Sequence, residues 1–146
     1  MISTVIKWKK VRLEDAKDLS QKYDLYFFYR GSNPLYIGKS YKQHIYDELK
    51  AKIRHFEFNT TGLGIYVGIL DVEKSDSFNR SNQLISDVES LLIINEQPYY
   101  NNHNTISYNG RKDLKVVNNN CNGLLKRTIS IWISIEDKYF PGAKKK

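Results

Sequence analysis

Tyr23-Asp24-Leu25-Tyr26-Phe27-Phe28-Tyr29-Arg30-Gly31-Ser32-Asn33-Pro34-Leu35-Tyr36-Ile37-Gly38 is the stretch on which the fold turns. Asp24 to Arg30 is rich in aromatic residues and fits a β-strand. Gly31-Ser32-Asn33-Pro34 has the composition of a turn, and Leu35 to Gly38 is the returning strand. The loop is short enough to fix the register of a hairpin. Side chains two apart on a strand share a face. Tyr26 and Tyr36, on partner strands across a tight turn, could therefore aim their hydroxyls into one cleft; simple packing of both rings is the other reading. Gly38 at the strand end permits close approach of another backbone or of a ligand. Lys39 and Ser40 follow it just before a helix, where basic and hydroxyl groups are natural phosphate contacts.

Working outward, residues 1–10 read as a strand or an extended arm. Arg12 to Lys22 reads as a helix, with Val11, Leu13, Ala16 and Leu19 as an apolar stripe and Glu14 and Asp15 in the first turn. Downstream, Lys42 to Phe56 reads as a helix, since Ile45, Leu49, Ile53 and Phe56 recur at helical spacing. Asn59 to Leu63 is a loop, and the apolar, β-branched run Gly64 to Val72 is a central strand. Glu73 to Asn79 is a surface loop. Ser81 to Asn95 reads as a helix facing inward through Leu84, Val88, Leu91, Leu92 and Asn95, and Pro98 stops it. Asn101 to Gly110 is loop-like, Lys112 to Val117 a strand and Asn118 to Gly123 a turn. Leu124 to Ile135 alternates through Ile129, Ile131, Ile133 and Ile135, a strand signal. The order predicts one α+β domain over residues 1–146, with a small, mainly antiparallel central sheet flanked by helices and extra C-terminal strands. Residues 23–102 form its core, 1–22 an N-terminal arm and helix, and 103–146 a strand extension ending in a basic tail.

Composition narrows the function classes. With 146 residues, 40% hydrophobic and 27% charged, the chain has the balance of a soluble globular domain with one modest core. No apolar run approaches the roughly 20 residues of a membrane span, and Met1 to Lys10 lacks a signal-peptide core. The single cysteine, Cys121, excludes an internal disulfide and a Cys-rich zinc site, and reads as a half-buried thiol near a turn. A cytoplasmic protein without membrane contact is expected. The net charge of +7 favours a polyanionic partner, DNA or RNA, through phosphate neutralisation.

Glu89 is the sharpest chemical signal. It lies inside Val88-Glu89-Ser90-Leu91-Leu92-Ile93, near the edge of the inward helix face. A carboxylate there must be paired, hydrogen-bonded or metal-bound, or its burial costs several kcal/mol. A salt-bridge role is one reading. A metal ligand is the other, because Mg²⁺ sites use one or two carboxylates, with water and phosphate oxygens completing the octahedron.

Taken in order, Tyr26, then Tyr36-Ile37-Gly38, then Glu89 before Leu92-Ile93, then Pro98-Tyr99-Tyr100-Asn101, resemble the motifs of the GIY-YIG nuclease superfamily over roughly residues 23 to 102. The resemblance implies a metal-dependent endonuclease hydrolysing DNA phosphodiesters. It implies that Tyr26 and Tyr36 position or activate the nucleophilic water, that Glu89 holds a single Mg²⁺ or Mn²⁺, and that Asn101 braces the site. The literal string Gly64-Ile65-Tyr66 comes after Tyr36-Ile37-Gly38, the reverse of the family order, and reads as the central strand. The first motif is Asp24-Leu25-Tyr26, which keeps only the tyrosine. The family arginine, just before a leucine about two turns into the helix, is replaced here by Glu48 before Leu49, and Lys52 stands where family members often carry histidine. Glutamate repels phosphate, and arginine at such a site is not freely replaced. Three readings follow: Arg54 or His55 reaches the site from later in the helix, His44 or Lys39 serves instead, or catalysis is impaired. Gly38, Lys39, His44, Lys52 and Asn101 form the expected phosphate-contacting set, and His103 reads as a surface histidine. The rivals are a nucleic-acid-binding module on the same fold that has lost catalysis, and a structural domain whose charge serves solubility. Both monomer and homodimer fit.

Overall fold

The computed structural model describes residues 2–19, 21–40, 44–72, 82–101 and 107–131. In chain order the elements are β1 (Ile2–Val11), α1 (Leu13–Ala16), β2 (Leu25–Arg30), β3 (Asn33–Lys39), α2 (Ile45–Phe56), β4 (Gly64–Val72), α3 (Asn82–Glu96), β5 (Leu114–Asn119) and β6 (Thr128–Ser130). The strands form one sheet in the order β3-β2-β4-β1-β5-β6. Every neighbouring pair is antiparallel except β1 and β5, which run parallel. The protein is thus α+β, with a mostly antiparallel sheet flanked by helices. Among the described residues no helix is long and apolar enough to cross a membrane.

Residues 2–11, read as a strand or an arm, are an interior strand between β4 and β5. Their alternation makes them a strand, with Thr4, Ile6 and Trp8 buried on one face and Lys7 and Lys9 exposed. β4 pairs with Thr4 to Val11 and β5 with Ile2 to Lys7, so Thr4 to Lys7 has strand partners on both sides. The helix expected over Arg12 to Lys22 is a single turn. Arg12 caps it with no side-chain bond, and Asp18 beyond its end opposes the helix dipole. The chain then turns to feed Tyr23 into the core.

Each face of the sheet carries its own core. On one, Ile6, Trp8, Leu25, Phe27, Ile37 and Tyr66 pack with Leu84, Val88, Leu91 and Leu92 of α3. On the other, Tyr26, Phe28, Tyr36, Ile65 and Val67 pack with Ile45 and Leu49 of α2 and Ala16 of α1. His44 caps α2: its Nδ1 accepts the Tyr46 N–H at 3.1 Å, so its Nε2 carries the proton donated to the Leu19 carbonyl at 3.0 Å. β5 has the expected length but runs two residues later, taking Asn118 and Asn119 from the expected turn, and within the described part of Leu124 to Ile135 the strand is Thr128–Ser130. Ile129 is buried, Ile131 is half-buried against the same core, and Ile133 and Ile135 lie outside the described residues. So does the loop expected at Glu73 to Asn79. Cys121 is buried rather than half-buried.

The hairpin register has one irregularity that positions the site. Arg30 pairs with Asn33 and Tyr29 with Pro34 around a two-residue turn, where Gly31 has φ 61°. The register then shifts between Phe28 and Tyr29, so that Phe28 pairs with Tyr36 and Tyr26 with Gly38. Leu35 is the extra residue of this β-bulge. Had the pairing run on without it, Tyr36 would face Phe27 and point to the opposite side of the sheet. The bulge therefore brings Tyr36 and Gly38 onto the face of Tyr26.

β3 is an edge strand, and its outward groups are closed by the chain that follows α3. The Leu35 carbonyl accepts the Tyr100 N–H at 2.8 Å. Ile37 donates to Asn101 Oδ1 at 3.0 Å, and its carbonyl accepts from Asn101 Nδ2 at 2.9 Å. Asn101 is buried and imitates a seventh strand with one side chain. Replacing Asn101 with Ala strands both Ile37 groups at once and should cost about 2–4 kcal/mol in urea denaturation. A loss under about 0.5 kcal/mol, the scale of an ordinary surface change, would show that the edge is braced some other way.

Candidate active site

Both helices reach the end of β3, one from each face of the sheet. From the α2 side, Glu48 and Lys52 lie four apart and so share a helix face. From the α3 side, Ser86 and Glu89 are three apart and do the same. The strands contribute Tyr26, Tyr36, Gly38 and Lys39.

Tyr26 is fully buried, and its hydroxyl donates to Glu48 Oε1 at 2.7 Å. Burial, and then the neighbouring Tyr36 and Glu48, push the Tyr26 hydroxyl far above the usual tyrosine value. It is therefore a hydrogen-bond donor and cannot serve as a tyrosinate base near neutral pH. Its single proton is held by the Glu48 carboxylate. The Tyr36 ring lies 6.1 Å from that of Tyr26, and Lys52 Nζ sits 5.5 Å from the Tyr36 ring centroid, a cation–π contact.

Gly38 lies beneath both tyrosines. A Cβ there would come 2.5 Å from Tyr26 Cζ and 2.9 Å from Tyr36 Cε2. The close approach that glycine permits is thus taken by the two rings. Lys39 has its side chain on the α3 side, where Nζ donates to Ser86 Oγ at 2.8 Å.

Glu89 is half-buried, and its carboxylate accepts a hydrogen bond from the Lys39 backbone N–H, another outward group of the β3 edge. Burial pushes its carboxyl above the usual value. The charges of Lys39 and Lys52 act against that shift, and Glu48 adds to it. Glu89 and Glu48 therefore feel each other across the strand end, with two lysines between burial and ionisation.

Tyr26, Tyr36, Gly38, Lys39, Lys52 and Glu89 are brought together. Asn101 stands behind them, its amide spent on Ile37. His44 is occupied at both ring nitrogens, Nδ1 by the α2 cap and Nε2 by the Leu19 carbonyl. Arg54 and His55 are exposed in the last turn of α2, with the His55 ring edge-on to Phe56 at 4.8 Å. The cations whose charge acts on Glu89 are Lys39 and Lys52. His103 lies outside the described residues. Sequence reading treated Glu48 only as a departure, and missed that it partners Tyr26. Its spacing from Lys52 on one helix face was the available signal. Ser86 was missed too, although it is one turn before Glu89.

Among the described residues no group of three or more His, Cys, Asp and Glu gathers as a metal cage. One or two carboxylates at a half-open strand end suit Mg²⁺ or Mn²⁺ better than a closed zinc site. A separate cleft of about 350 Å³, lined by Lys10, Arg12, Ile53, Thr60 and Leu63 among others, contains none of these side chains. No family model, curated protein or solved structure matches the chain.

Two stability measurements check this geometry. Gly38→Ala must push the Tyr26 and Tyr36 rings apart and should cost about 1–3 kcal/mol; a neutral result would mean that the rings have room. Because Glu89 is raised, the folded protein holds that proton more tightly than the unfolded chain does. Stability from this group is full below the ordinary carboxylate value of 4.5 and is lost as pH rises through the raised folded value. Glu89→Gln should therefore melt higher than wild type at neutral pH without metal, with the gap closing as pH falls below 4.5. A variant that melts lower at neutral pH would contradict the burial cost.

Proposed function

We propose that this protein is a divalent-metal-dependent endonuclease that hydrolyses DNA phosphodiester bonds at the β3 end, on a GIY-YIG-like core. The observation that carries the reading is the meeting of Tyr26, Tyr36, Glu48 and Glu89 with Lys39 and Lys52 at one strand end. Two carboxylates, two phenols and two ammonium groups are the complement that phosphodiester hydrolysis requires. The net charge of +7 supplies a general attraction for polyphosphate.

Glu89 would hold Mg²⁺ or Mn²⁺, with water and phosphate oxygens completing the coordination. When bound, the cation polarises the phosphate and stabilises charge on the leaving oxygen. The chain's own groups do the rest. Lys39 is fixed by Ser86 and Lys52 by the Tyr36 ring. They offset charge on the non-bridging phosphate oxygens, in the role the family gives to arginine. As point charges they lack arginine's bidentate fork and set a lower ceiling on rate. The Tyr26 hydroxyl, protonated and oriented by Glu48, positions the attacking water. Glu48 accepts the water proton as the P–O bond forms on one side and the leaving oxygen departs on the other. Asn101 acts only by holding β3 straight.

The Tyr26–Glu48 bond also supports a second reading. A carboxylate closed onto the tyrosine places negative charge where phosphate must sit, as a binding module that has lost catalysis would tolerate. The two readings separate on supercoiled plasmid with Mg²⁺ or Mn²⁺. The nuclease nicks or linearises it, and Glu89→Gln lowers the rate by about 10²-fold or more, the scale of one lost electrostatic stabiliser. Activity should fall on the acid side, and rising metal concentration should move that fall to lower pH, because proton and cation compete for Glu89. Salt-sensitive binding without cleavage at any metal concentration establishes the module instead. Full activity in Glu89→Gln contradicts the metal role.

A further inference from the structure

We propose that the Tyr99 ring is a stacking platform for an unpaired nucleobase beside the phosphate bound at the β3 end, so that the preferred partner is single-stranded or locally opened DNA; this rests on the nuclease reading above. Among the described residues Tyr99 is the exposed large hydrophobic side chain, at 81%. A single aromatic on a surface needs no explanation by itself. This one has a support, a neighbourhood and a charge environment that point one way.

The support is a fixed turn. α3 ends with Gln97 in the left-handed region at φ 49°, its N–H bonded to the Ile93 carbonyl at 2.8 Å. The Asn101 N–H then closes onto the Pro98 carbonyl at 3.2 Å, so Tyr99 and Tyr100 are the two central residues of a turn. Tyr100 and Asn101 pin the turn to the β3 edge. Tyr100 faces inward, against Phe56 at 5.3 Å and Phe58 at 4.8 Å, and Tyr99 faces out, with its ring 5.1 Å from that of Tyr100. A ring held on such a turn loses little freedom when a base stacks on it.

The neighbourhood leads to the site. From Tyr99 the rings run through Tyr100 to Phe56, and Phe56 lies 4.9 Å from Tyr36, whose face holds Lys52. Tyr99 thus stands at one end of a continuous aromatic run and Lys52 at the other, and proteins hold single strands by combining stacked aromatics with cations that neutralise the backbone. Base faces inside a duplex are already stacked, so the platform favours unpaired DNA.

The test is fluorescence anisotropy in EDTA, where no cleavage occurs, with a labelled oligothymidylate of about 12 nucleotides, within the usual single-strand site range, and with a duplex of matching length. Tyr99→Ala should weaken single-strand binding by about tenfold and leave duplex binding within about twofold, while Tyr99→Phe keeps both. Tyr99→Trp gives an independent readout: its added emission should be quenched by the oligonucleotide. Because the ring is exposed, all three variants should melt with wild type. Unchanged single-strand affinity in Tyr99→Ala and no quenching in Tyr99→Trp would overturn the platform while leaving the nuclease reading intact. Failure of wild type to bind either DNA at low salt would remove both. Unchanged DNA affinity with a dimer-to-monomer shift in light scattering would make a second copy of the chain the occupant of this surface, which also overturns the proposal.

Discussion

One extra residue in a hairpin, Leu35, decides which side chains can meet. Its bulge shifts the β2–β3 register by one, and a one-residue shift moves every later side chain to the other face. With the bulge, Tyr36 and Gly38 share the face of Tyr26, while Ile37 and Lys39 go to the α3 side. The same residue offers its carbonyl to Tyr100, beginning the run of bonds that closes the open edge of β3. Asn101 continues that run at Ile37, and Glu89 ends it at Lys39. The edge an unprotected sheet leaves as a liability is here covered by the groups that form the candidate site.

That placement explains the electrostatics. Glu48 and Glu89 approach one strand end from opposite faces of the sheet, so both are only half withdrawn from water. Burial and the charge of Glu48 hold the Glu89 carboxyl above its usual value, while the Lys39 N–H and the charges of Lys39 and Lys52 favour its ionised form. A site of this kind is costly without a cation and improves with one. Tyr26 takes the other consequence of burial: its hydroxyl stays protonated, which makes it a fixed donor.

Much of the fold was legible because its signals are local. Gly64 to Val72 is bounded as read, since a β-branched run between glycine and a charged segment has few alternatives. α3 was legible from its apolar spacing and Pro98, and Tyr26, Gly38, Lys39 and Glu89 were legible because the hairpin and α3 set their positions. The bulge was not: Gly31 to Pro34 has the composition of a four-residue turn, and the two-residue turn with Leu35 inserted follows from tertiary packing. The role of residues 2–11 as an interior strand depends on β5, more than a hundred residues away, which no local pattern carries. The bond from Tyr26 to Glu48 was not legible, because it joins a strand to a helix 22 residues away and no local pattern carries it. The aromatic run from Tyr36 through Phe56 to Tyr99 was invisible for the same reason, since it joins three separate elements.

The most direct measurement is the position of bound metal, read from the anomalous signal of Mn²⁺ in crystals of the protein. The account requires one strong peak at coordination distance from the Glu89 carboxylate, at the β3 end beside Gly38, about 2.0–2.1 Å for the Mg²⁺ it replaces and slightly longer for Mn²⁺. It also requires loss of that peak in Glu89→Gln. A well-ordered β3 end with no peak at saturating Mn²⁺, or a peak that persists without Glu89, would contradict the claim that these groups form a metal-dependent site.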